Sequence, residues 1–437
     1  MTEQQKLKKA TYHLWTFLIS KLMGSLGAGV YAFGMSMFIL SVTGSSLSFA
    51  TNILLSILPR TLIAPIAGVI GDRVPRKLLV IGGQTGIVLT MAGLLSYTLA
   101  FDISVTAIYV ATVFNSIFGT FSGLAFTSSI ANLVDEARLQ KAMSFNHMAY
   151  SVAGIGGPIV GGLLFGFVSM EVFLVIYLVS QLIALSLEST MNFNLYKKVV
   201  KTVAEKKETM VESFKGGIAY IKQKPLLIAL LSTSFGLNFF FTSLSVGGDF
   251  ALLTIIKLST EQIGFTEATG GIGVIVASIF FASTKAVKNP LLLSKYAILG
   301  MSSLVILAAL PIYLNLPKTG NFIYYVFLMF SFGVTNIMAN MPIGVLFQKT
   351  IDDEYRSRVL SILETISMSL MPLATLVYGV LFDFLPAEYI FIISGLCLIV
   401  LTLITLRPSV IKMAMSGETP EQQESAELSY NEAGLTK

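Results

Sequence analysis

Between residues 13 and 406, long apolar runs alternate with short charged turns, and within the runs apolar and polar positions do not alternate with period two. Twelve runs are long enough to cross a hydrocarbon core as helices. They cover 13–41, 47–70, 78–100, 104–128, 142–167, 170–189, 226–249, 262–284, 290–314, 321–347, 358–383 and 386–406, the fifth and sixth being split only by a tight turn. Barrel strands would need alternation, so the pattern predicts an all-α membrane protein of twelve transmembrane helices.

One long polar segment, 190–225, divides the chain into six-helix halves, 1–189 and 226–406. It carries eight lysines from Lys197 to Lys224, with Glu205, Glu208 and Glu212 among them. Phe214, Ile218 and Ile221 recur at helical spacing, predicting an amphipathic helix at the membrane face, while 197–210 reads equally well as a solvated tether. Residues 407–437, with Glu418, Glu421, Glu424, Glu427 and Glu432 and few apolar positions, are expected to be a disordered tail. The halves read as repeats. Asp135-Glu136-Ala137-Arg138 precedes helix five and Asp353-Glu354-Tyr355-Arg356 precedes helix eleven, and each helix holds a proline, Pro158 or Pro372.

Charge sets the orientation. With both termini in the cytoplasm, 25 of the 29 lysines and arginines fall on the cytoplasmic side, and only Lys257 and Lys318 fall outside. Lys21 and Arg60 remain inside predicted helices. Lys6 to Lys9, followed by an apolar run without a small-residue cleavage pattern, reads as a retained first helix rather than a leader. Only 12% of residues are charged, against about 25% in soluble domains. The net charge of +5 lies in loops, so the expected partners are lipid and a small molecule, not nucleic acid. The single cysteine, Cys397, excludes an intramolecular disulfide and a cysteine metal cluster, and two histidines, His13 and His147, argue against a histidine metal centre. No phosphate-binding glycine loop or catalytic constellation is visible, so neither an enzyme, direct ATP hydrolysis nor a resident cofactor is expected.

Two motifs stand out. Gly68-Val69-Ile70-Gly71-Asp72-Arg73-Val74-Pro75-Arg76-Lys77 reads as a turn at the membrane surface. Arg73, Arg76 and Lys77 hold it on the cytoplasmic side, and Asp72 can cap a helix start or meet a helix dipole. In helix five, Gly154-Ile155-Gly156-Gly157-Pro158-Ile159-Val160-Gly161-Gly162 places small residues four apart, a flat face for close helix packing, with the proline breaking full regularity.

The spacing Gly68-x-x-x-Asp72-Arg73-x-x-Arg76-Lys77 resembles the loop between helices two and three of the major facilitator superfamily. Thr43-Gly44-Ser45, Leu58-Pro59, Pro65-Ile66-Ala67-Gly68, Phe214-Lys215-Gly216-Gly217, Phe347-Gln348 and Arg358-Val359-Leu360-Ser361 extend the likeness to its macrolide-efflux and enterobactin-exporter branch over most of 12–406. The resemblance implies the major facilitator fold of two parallel six-helix repeats and a proton-coupled exporter of drug-like or amphipathic molecules in the bacterial inner membrane. The energy source is then the proton gradient, and a monomer is expected. It also implies that the helix-five motif is like the glycine-proline motif of antiporter branches, at the interface between halves; plain helix packing stays an equal alternative.

Lys21 and Arg60 depart from the branch, which has neutral residues there. They lie about 10–12 Å and about 15 Å from the cytoplasmic helix ends, and Glu364 about 10 Å. Charges at such depth usually face the bundle interior. In this fold helices two and eleven face each other, so an Arg60–Glu364 pair is expected as a gate or proton-linked latch, whereas Lys21 can snorkel to the interface. Glu267 is the other candidate proton carrier, and Asp249 is expected to end helix seven at the outer surface in a structural role. Lys21 and Arg60 also favour a rival cargo, an anionic metabolite, siderophore or lipid-linked compound. A non-transporting membrane sensor is the reading from another class.

Overall fold

A computed structural model describes residues 2–196, 210–283, 289–314, 316–351, 359, 362–363 and 370–416. Every regular element among them is helical. The membrane helices are α1 (Glu3–Thr43), α2 (Ser46–Arg73), α3 (Arg76–Phe101), α4 (Val105–Ser128), α5 (Glu136–Phe167), α6 (Met170–Ser189), α7 (Pro225–Phe250), α8 (Thr260–Ser283), α9 (Pro290–Leu307), α10 (Lys318–Thr350), α11 (Met371–Phe384) and α12 (Ala387–Thr405). Eleven are long and apolar enough to cross a membrane, and α11, 14 residues in its described part, is the twelfth. A helix also forms over Met210–Gln223 within the polar segment between the halves, where 197–209 lie outside the described residues. Another, Pro408–Ser416, opens the stretch expected to be an unstructured tail, and residues 417–437 lie outside the described residues.

Local signals explain the boundaries. Thr2 and Gln5 form a capping box that starts α1 ten residues before its apolar run, and Gly44 ends it at φ 61°. Ser45 and Ser104 cap α2 and α4 through their hydroxyls, and Pro225 and Pro290 occupy first turns. Asp135 stands at the N-cap of α5, its carboxylate 2.8 Å from Arg138 Nη1. Apolar patterning ends where hydrocarbon ends, but the backbone hydrogen bonds run on. Gly68, Gly71, Asp72 and Arg73 therefore belong to α2 rather than to the turn expected from their charge, and the connection to α3 is only Val74 and Pro75.

Helix pairings recur between the halves. The contacts α1–α5, α1–α6, α2–α4, α3–α4 and α3–α6 are matched by α7–α11, α7–α12, α8–α10, α9–α10 and α9–α12. The two most extensive cross-half pairs, α2–α11 and α5–α8, are themselves related by the exchange of halves. This is the twofold arrangement of parallel repeats.

The cores follow the same logic. At the face opposite the two described chain ends, one apolar cluster joins the halves, with Met37, Leu40, Phe49 and Ala50 against Leu244, Phe250, Phe382 and Phe391. Toward the face carrying those chain ends the cores are separate among the described residues. Leu14, Phe17, Val80 and Phe126 belong to the first half, and Leu226, Leu230, Leu291 and Leu406 to the second.

Candidate functional site

The joined face is held by a polar clasp as well as by apolar packing. Asp383, at the end of α11, accepts from Ser45 Oγ at 2.6 Å, the Ser46 amide at 2.6 Å and the Leu47 amide at 3.3 Å. These amides are donors that the first turn of α2 cannot satisfy internally, so one carboxylate caps a helix of the other half and meets its positive dipole end. Ser46 Oγ donates to the Gly379 carbonyl at 2.7 Å, and a Cβ on Gly379 would lie 2.7 Å from that of Ala50. Asp383→Ala removes the cap, at a cost of about 2 kcal/mol, or about 30-fold in the equilibrium for this closure. Alkylation of a cysteine at the buried Ala50 position, with Cys397 replaced, is then expected to speed up by that factor.

The second cross-half contact uses the helix-five motif. A Cβ on Gly157 would lie 2.9 Å from the Gly29 backbone and one on Gly161 3.0 Å from the Val30 carbonyl, so these two glycines seat α5 on α1. Gly162 points the other way, 2.6 Å by the same measure from the Thr260 carbonyl of α8. Pro158 abuts Gly264 and Ile155 abuts Gly271. Gly154 faces open space. The stretch therefore has two packing faces, one within its own half and one between halves.

Two buried acidic sites lie at membrane depth. Asp249 is 8% exposed, and its carboxyl group lies beside that of Glu267, which is partly exposed. Both residues lie about 10 Å from the joined face, counting along α8 from Thr260 and back from the π-helical turn Ala251–Ile255 that extends α7. Asp249 is thus not the surface cap expected from its place near the end of the run; the π-helical turn carries α7 past it and leaves it inside the bundle. In the first half, Glu188 is 4% exposed, accepts from Ser20 Oγ at 2.8 Å and lies in the field of Lys21. Lys21 is itself 8% exposed, its Nζ 4.8 Å from the Tyr150 ring centroid and 5.7 Å from that of Phe126. Its aromatic neighbours, one of them on α4, and its acidic neighbour turn it inward, so it does not snorkel to the interface.

The geometry can be set beside known proteins. The sequence profile of the Major Facilitator Superfamily matches residues 17–375. The chain belongs to the Major Facilitator Superfamily. Over 411 residues it is 22% identical to macrolide efflux protein A of Streptococcus pyogenes, covering 92% of this chain and 97% of that protein. The uncharacterized MFS-type transporter YfiS of Bacillus subtilis is 23% identical over 401 residues, covering 90% and 92% of the two chains. Among solved structures, a bacterial homologue of the iron transporter ferroportin in an inward-facing state is similar in fold, with a TM-score of 0.66 at 16% identity over 90% of this chain and 98% of that one.

The remaining superfamily candidates divide by position. Arg60 is exposed on α2, and Glu364 lies outside the described residues, as do the side-chain surroundings of Asp72 and Arg73. Arg76 Nη1 donates to the Ser128 carbonyl at 2.5 Å, tying the α2–α3 connection to the end of α4, and Lys77 is exposed. Pro75, not Asp72, stands at the N-cap of α3. Sequence reasoning missed Glu188 and Asp383. Lys21 at its depth needs an acid, and Glu188 is the acid buried at the end of α6. The serine pair Ser45-Ser46 opening α2 marked a helix start able to receive an anion, but nothing in the sequence names Asp383 as its source.

Proposed function

We propose that this transporter is a proton-coupled exporter of drug-like or amphipathic small molecules, working by alternating access in the bacterial cell membrane with both termini cytoplasmic. The observation that carries the reading is the division of the core. Among the described residues the halves share one core and a carboxylate clasp at one face and keep separate cores at the other, which supports a carrier open toward the side bearing its termini. The clustering of 25 of 29 cations assigns that side to the cytoplasm. Export, rather than uptake, is supported by the macrolide efflux relatives. The Asp249–Glu267 pair supplies a group whose proton can exchange as access switches. Asp72, at the end of α2, and the exposed Arg60 would then act where the opposite closure forms, with Glu364 as the proposed partner of Arg60. Export of an anionic compound is the second reading; it rests on Arg60 alone, since Lys21 is buried against the Tyr150 and Phe126 rings.

Reconstitution in liposomes with an imposed pH gradient tests the proposal, using a panel of cationic, neutral and anionic amphiphiles. Gradient-dependent movement of cationic or neutral compounds, abolished by a protonophore, is expected. Movement that ignores the gradient would overturn proton coupling, and movement of anions alone would favour the second reading.

A further inference from the structure

A groove of about 560 Å³ runs along the outer side of α1 against the end of α6, lined by Lys8, Thr11, Tyr12, Trp15, Thr16, Ile19 and Leu187. The α1 residues follow i, i+3, i+4, i+7, i+8 and i+11 spacing, so they form one stripe about 16 Å long. The stripe is graded. It opens with an ammonium, continues with hydroxyls and a phenol, reaches an indole, and ends with Ile19 facing Leu187. The floor is fixed, because Tyr12 Oη and Thr190 Oγ1 lie 2.9 Å apart, joining α1 to the α6 end. A second ammonium, Lys141 Nζ of α5, lies 5.3 Å from the Trp15 ring centroid. Tyr12 and Trp15 are each 49% exposed, as aromatic residues at a membrane–water interface are.

We propose that this groove binds one anionic phospholipid from the leaflet on the face bearing the termini. Its phosphate meets Lys8 and Lys141, its glycerol region meets Thr11, Tyr12 and the Trp15 indole, and an acyl chain follows Ile19 and Leu187. The charge of the two lysines and the polar-to-apolar order along the stripe select this occupant over a zwitterionic lipid or a soluble anion, which would leave the apolar end unfilled. The site stands apart from the cross-half contacts and does not depend on the transport reading.

Trp15 is the only tryptophan in the chain, so its fluorescence reports this groove directly. The full-length protein is titrated in mixed micelles with phosphatidylglycerol or phosphatidylcholine brominated on the acyl chains. With about fivefold from each of the two lysines, quenching by brominated phosphatidylglycerol is expected at a mole fraction about 25-fold lower than by brominated phosphatidylcholine. Lys8→Gln should shrink the preference about fivefold, Lys8→Gln with Lys141→Gln should remove it, and Lys8→Arg should keep it. Equal quenching by both lipids in the unaltered protein, or a preference that survives the double change, would overturn the proposal.

Discussion

Glu267→Gln is expected to remove gradient-driven transport while leaving exchange of the same compound across liposomes without a gradient. The change keeps volume and hydrogen bonding but removes the titratable group at the more exposed member of the Asp249–Glu267 pair. Coupling free energies of about 1–3 kcal/mol correspond to 5- to 150-fold effects, and the loss is expected near the upper end. Asp249→Asn leaves Glu267 able to titrate and still offers it a hydrogen bond. That variant should stay coupled but respond over a different pH range. Gradient-driven accumulation and gradient-free counterflow, measured on both variants, separate the outcomes. A Glu267→Gln protein that still accumulates substrate with the gradient would remove the pair from the coupling.

Gly264→Leu is expected to cost as much by a different route. A Cβ at this position would collide with the Pro158 carbonyl and lie 3.3 Å from Gly162 Cα, both backbone groups of α5 that cannot swing aside. Overpacking of this kind costs about 1–3 kcal/mol, or about 5- to 150-fold against the closed arrangement of the joined face. The clash lies between halves, not within one, so each half should still fold and the protein should still elute as a single species. Gly154→Ala is the matched control. It adds a methyl to the same motif where a Cβ meets nothing within 4 Å, and transport should be unchanged.

The fold was legible because membrane helices announce themselves by length and hydropathy, and the acidic tetrad with its following proline exposed the repeat. The ends were less legible. Helices α1, α2 and α5 run past the hydrocarbon on polar residues such as Lys8, Asp72 and Glu136, where hydropathy is silent and capping decides. The site was legible only in part. Depth counting singled out Lys21, Arg60 and Glu364, the last outside the described residues, and Glu267 stood out with them, since a charge in an apolar run is conspicuous. The acids near Lys21 and Glu267 were not found, because proximity joins residues far apart in the chain: Glu188 in the field of Lys21, and an Asp249 that looked like a helix end beside Glu267. The helix-five glycines showed that something packs closely, but not that Gly157 and Gly162 serve different helices.

Spin-label distances across the two faces test the alternating-access claim most directly. One pair joins Val42 to Tyr389 at the joined face and the other joins Leu78 to Tyr296 at the opposite one, all four exposed positions, in a Cys397→Ala background. A shift in pH or addition of a transported compound is predicted to lengthen one distance while shortening the other, with Gly264→Leu holding the Val42–Tyr389 pair long. Distances that change together, or a Val42–Tyr389 pair that never lengthens, would contradict the account.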